Sequence, residues 1–106
     1  MSGQIAPGPV EDELDVLVST AIRRAESLDE IDASSAGEAW REVMEYEKRL
    51  AAVTSPDEIA GGVARVGAIA AALAAGERAE AKALSVQYLA EDLLPPERRA
   101  AIERVF

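Results

Sequence analysis

SPDEIAGGVARVGAIAAALAAG, residues 55 to 76, is the stretch whose reading decides the fold. It carries the punctuation of one helix at both ends. Ser55 is placed to cap, Pro56 suits the first helical position, and Glu58 three residues past the cap completes a capping-box pattern. Gly76 stands where a left-handed residue closes a helix. From Ile59 to Ala75 the only charge is Arg65. Ile59, Val63, Val66, Ile69 and Leu73 recur at steps of three and four and share a face. The rest of the circumference is Ala and Gly, which let a neighbouring backbone come close. A helix that is apolar all round is expected to be buried, so this one is placed at or near the centre of the molecule.

Working outward, Met1 to Gly8 reads as a frayed tail, with residues 9 to 106 forming a single helical domain. A first helix is expected from Pro9 to Leu28, with Val10, Leu14, Leu17, Ala21, Ile22, Ala25 and Leu28 as its stripe. Its early acids (Glu11, Asp12, Glu13, Asp15) and later Arg23 and Arg24 follow the order that a helix dipole favours. Asp29 to Ser34 reads as a polar connection. It is no calcium loop, because Ile31 and Ala33 fall on ligand positions. A second helix is expected from Ala36 to Val53, capped by Ser35 and Glu38, with Ala36, Ala39, Trp40, Val43, Met44, Tyr46/Glu47, Leu50 and Val53 on its seam.

After the central helix, Glu77 to Leu94 reads as a fourth, stopped by Pro95-Pro96. Ala81, Leu84 and Tyr88 mark one apolar face of it; Val86, Leu89 and Leu93 mark another. Pro96 to Phe106 is a short last helix. The fold class is therefore all-α, a compact antiparallel bundle of four to five helices around an Ala/Gly-rich central one.

Composition narrows the function. Eleven basic residues against twenty acidic ones give a net charge of -9, which repels nucleic-acid phosphates and anionic membrane surfaces. The central run draws its apolarity from Ala and Gly and carries Arg65 near its middle, so no membrane span is expected. The chain has no cysteine and no histidine, which removes disulfides, zinc sites and the Ser-His and Cys-His couples. Glu38, Glu42 and Glu45 share a helix face, but with Arg41 and Arg49 alongside they read as a solvated surface. No enzyme activity and no cofactor is expected. The absence of a signal peptide and the preference for Arg over Lys suit a cytoplasmic bacterial protein.

Two short stretches resemble known families. Gly76 to Ala81 is similar to the turn between paired helices of a tetratricopeptide repeat, though no second copy occurs at the required period. Tyr88 to Asp92 resembles the tail signal of small helical type VII secretion substrates, whose Trp-x-Gly turn is replaced here by Trp40-Arg41-Glu42. Neither supplies a site residue.

What remains is a protein-protein interaction or assembly module, an adaptor or homodimer. Its contacts are expected from the small side of the central helix (Ala60, Ala64, Gly67, Ala68, Ala71), from Arg65 as an interface ion pair, from Trp40 as an anchor, and from Val86, Leu89 and Leu93. The alternative is an acidic antitoxin or inhibitor that neutralises a basic partner through the first third of the chain.

Overall fold

The computed structural model describes residues 8–105. Most of the expected tail and Phe106 lie outside them, while Gly8 is already helical. Five helices follow one another: α1 (Gly8–Ile31), α2 (Ala33–Ala52), α3 (Ile59–Ala74), α4 (Arg78–Leu89) and α5 (Pro96–Glu103). They form an all-α antiparallel bundle. α1 packs on α2, α2 on α3, and α3 on α4, with α5 closing against α3 and α4. α3 is thus the helix that most others touch.

Boundaries moved where local chemistry outweighed pattern. α1 runs three residues past Leu28, and the polar connection shrinks to Asp32. Its carboxylate accepts from the Ser34 hydroxyl (2.7 Å) and the Ser35 hydroxyl (2.8 Å), so α2 starts at Ala33 and Ser35 is not its cap. These two bonds hold the Asp32 carboxyl below its ordinary range. α2 stops where the Thr54 hydroxyl turns back to the Leu50 carbonyl (2.7 Å).

The capping box at Ser55 is half made: the Ser55 amide donates to the Glu58 carboxylate (2.9 Å), but the Ser55 hydroxyl turns to Asp57. Residues 55 to 58 consequently form a turn, and α3 begins at Ile59, later than the sequence pattern indicates. Its far end matches expectation. Gly76 has φ +79, the Gly76 amide donates to Leu73 O (3.0 Å) and the Glu77 amide to Ala72 O (2.8 Å), a Schellman closure.

The packing of α3 inverts the expected orientation. Its inner side is made of Gly61, Gly62, Ala64, Arg65, Ala68, Ile69, Ala71 and Ala72, all buried. Ile59 is 79% exposed and Val63 49%, and Val66 and Leu73 are half-buried. The helix is therefore not buried all round: the small residues and Ile69 face in, Val66 and Leu73 pack at the edge of the core, and Ile59 and Val63 face out. The reason is proximity. A Cβ on Gly61 would overlap the Ser55 carbonyl oxygen, and one on Gly62 would lie 2.8 Å from the Arg98 Nε. A Cβ on Gly67 would overlap the Glu47 carboxylate.

In α1 the buried residues are Leu14, Val18, Ala21 and Ala25; Val10 and Leu17, expected on the stripe, are exposed, and Val18 replaces them. In α4 the buried face is Ala81, Leu84, Ser85 and Tyr88. No helix of the described residues is long and apolar enough to cross a membrane.

Gly61→Ala is expected to cost at least about 2 kcal/mol, since backbone must move. Gly37→Ala should stabilise by roughly 0.5–1 kcal/mol, because Gly37 is mid-helix and a Cβ there meets nothing closer than 3.7 Å. Urea unfolding of both variants checks the pair.

Candidate functional site

Three features of the bundle are candidates for a site: a buried guanidinium, a buried carboxylate, and a bare helix face.

The guanidinium belongs to Arg65, whose side chain is 5% exposed. Its position in the fourth turn-step from Gly61 lets it lie along its own helix toward the loops at either side. It donates to both oxygens of Glu91, from Nε at 2.6 Å and from a terminal nitrogen at 3.0 Å. The other terminal nitrogen donates to Gly61 O (2.9 Å), and a further bond reaches Thr54 O (3.2 Å). Its carbon lies 5.6 Å from the Tyr88 ring centroid. Arg99 completes the arrangement from α5, donating to Leu89 O at 2.8 Å. These bonds explain why α4 ends at Leu89 rather than Leu94: the carbonyls and carboxylate beyond it are drawn to the two arginines. Arg65 is thus satisfied within its own chain, with its donors directed inward rather than at a neighbour.

The carboxylate is Glu47 on α2, 5% exposed and lying across Gly67. No hydrogen-bond donor is found for it among the described residues. Burial, with Asp15 on α1 adding a like charge, pushes its pKa up to about 7. Arg65, the only charge on α3, is engaged elsewhere. Glu47 also contributes to raising the Tyr88 phenol, whose main cause is burial.

The bare face is the outer side of α3. Ile59, Ala60, Val63, Ala70 and Ala74 are exposed there, flanked by half-buried Val66, Gly67 and Leu73. It carries no charged or hydrogen-bonding side chain. A different surface lies on the outer side of α1, where Asp12, Glu13, Val16 and Leu17 line a shallow, mostly apolar depression.

The expected contact residues are dispersed by the fold. Ala64, Ala68 and Ala71 are buried in the core, while Ala60 is exposed and Gly67 sits under Glu47. Trp40 is half-buried, and its indole N–H donates to Asp29 at 2.9 Å. Val86 and Leu93 are exposed on the α4 side, with Leu89 half-buried between them. The sequence pattern already puts Tyr46/Glu47 on the α2 seam between Met44 and Leu50, but it did not single out Glu47 as a buried carboxylate.

Among the described residues no group of three or more metal-ligating side chains converges. Glu42 pairs with Arg24 (3.3 Å) and Glu45 lies near Lys48 (3.8 Å), so two of the three carboxylates in that row are partnered by cations. The Arg24–Glu42 pair stands in an open depression of about 720 Å³ between α1 and α2. No protein-family model matches the chain, and neither a characterised protein nor a solved structure is significantly similar to it.

Two outcomes follow from the buried charges. Arg65→Ala should cost about 2–3 kcal/mol, leaving two carbonyls and Glu91 without their donor. Arg65→Lys should recover little, since an ammonium cannot make the fork. Urea midpoints measure both.

For Glu47, the folded chain retains a proton that the unfolded chain releases at lower pH. Stability therefore falls as pH rises from about 4.5 to about 7 and levels off above. Glu47→Gln should flatten that limb and stabilise the protein above neutrality by roughly 1–3 kcal/mol, read from unfolding at a series of pH values.

Proposed function

We propose that this protein is a non-catalytic interaction or assembly module of the bacterial cytoplasm, binding through the outer face of α3. One observation carries the reading: Ile59, Ala60, Val63, Ala70 and Ala74 are exposed on one side of α3, joined by half-buried Val66, with no charge among them in a chain of net charge -9. Water meets apolar side chains there, and contiguous apolar patches on small proteins mark partner sites. The lack of histidine and cysteine supports a binding rather than a catalytic role.

A second reading rests on α1. Asp12 and Glu13 beside exposed Val16 and Leu17 suit a basic, partly apolar partner, as an antitoxin or inhibitor would require. Binding there should weaken steeply with salt, whereas contact through α3 should not.

A photo-crosslinking amino acid placed at Val63 tests the first reading in cells that make the chain. Adducts are expected from position 63 and not from exposed Lys82 on α4. Absence of any adduct at 63 would remove the α3 surface as a binding face.

A further inference from the structure

Glu47 is seated where α1 and α3 both pack on α2. From α3, Gly67 lies so close that a Cβ there would overlap the carboxylate. From α1, Asp15 brings a second negative charge. Among the described residues no cation answers them. Arg65, the charge of α3, is bound to Glu91, Gly61 and Thr54. Lys48, the next residue on α2, is turned to Glu80 of α4 (3.2 Å). On α1, Arg24 is paired with Glu42 and Arg23 is exposed. α4 adds the Tyr88 phenol, which burial holds in its neutral form.

A carboxyl buried without a donor is tolerated while it keeps its proton. Once ionised it needs water, so a wall of its site must yield. How each wall is held decides which one. α3 is gripped by α2, α4 and α5 and by the four Arg65 bonds. α1 packs on α2 and on no other helix of the described residues, and it enters α2 through a single residue, Asp32. Its side-chain links to α2 are Arg24 with Glu42 (3.3 Å) and Asp29 with the Trp40 indole (2.9 Å). Both are exposed, which makes them weak, and both lie toward Asp32, where they resist a pivot least. Asp15 stands at the far end, and its charge repels an ionised Glu47.

We infer that α1 is a pH-controlled arm: loss of the Glu47 proton opens it from α2 about a hinge at Asp32, while α2 to α5 stay packed. The arm is separate from the outer face of α3 and operates whether or not that face binds. Opening bares Leu14, Val18, Ala21 and Ala25, so an apolar strip buried in the closed form becomes available as pH rises.

Linkage gives the direction. The closed form holds the Glu47 proton up to about pH 7, whereas an open form releases it near the ordinary value of 4.5. Opening is therefore flat below that lower value, grows with pH and levels above neutrality. From about pH 5 to about pH 8 the opening constant should rise by up to about 50-fold.

Hydrogen exchange of the full chain, read by mass spectrometry across that range and corrected for intrinsic rates, tests the arm. A detached helix of 24 residues is only marginally stable in water, so its amides exchange from the open form. At about pH 8 the amides from Leu14 to Ala25 should be at least about 10-fold less protected than those from Ala64 to Ala72. Their opening should carry the pH dependence, and Glu47→Gln should abolish it. Circular dichroism confirms that the variant folds; Glu47→Met, also without a charge, serves in its place if it does not. Equal protection of α1 and α3 at every pH overturns the inference, because opening is then global. So does an α1 that opens independently of pH, or one whose pH dependence survives the removal of the Glu47 charge.

Discussion

A single guanidinium ties together segments that the chain keeps far apart. Arg65 bonds to Thr54 at the end of α2, to Gly61 in its own helix and to Glu91 beyond α4. A buried charge is costly unless its donors are paired, and here four hydrogen bonds engage all three guanidinium nitrogens. That requirement fixes where the loops before α3 and after α4 lie. With Arg99 anchored on Leu89 O, it also sets the last turn of α4 and the approach of α5.

The small residues of α3 make that arrangement possible. Ala64, Ala68, Ala71 and Ala72 bring α2 and α4 close without filling the space between backbones. The glycines act as seats for groups that need room: the Ser55 carbonyl at Gly61, the Arg98 stem at Gly62, and the Glu47 carboxylate at Gly67. A helix whose inner side must be small has to carry its larger side chains elsewhere. Ile59 and Val63 are therefore on the outside because of the closeness on the inside, and the core takes its bulk from Val43, Met44, Leu50, Leu84, Tyr88 and Ile102 instead.

Charge divides the surface in a complementary way. α1 holds acid against solvent, whereas α3 presents none. Between them Glu47 is a carboxylate in a place suited to an alanine. Burial and the neighbouring Asp15 favour its neutral form, so the α1–α2–α3 contact carries a group that titrates near neutrality. The two outer surfaces thus differ in the forces they offer a partner, Coulombic on α1 and apolar on α3.

Much of the architecture is local chemistry and was legible in the residue order. Helix content follows from Ala, Leu, Glu and Arg, and the closure of α3 at Gly76 from the one residue type that adopts φ +79 without strain. Four buried residues of α2, Ala36, Ala39, Val43 and Met44, follow from a 3.6-residue period. What periodicity cannot encode is which side of an all-apolar helix faces inward, because Ile, Val, Ala and Gly are all acceptable to a core. Only the tertiary structure decided that, through the distance at which α2, α4 and the Ser55 turn approach α3. The same applies to Arg65 and Glu47: a sequence shows one charge in an apolar run, but whether it meets Glu91 or nothing depends on residues 26 positions away. Partnering across such separations is a property of packing, and packing is where this chain's candidate surface was made.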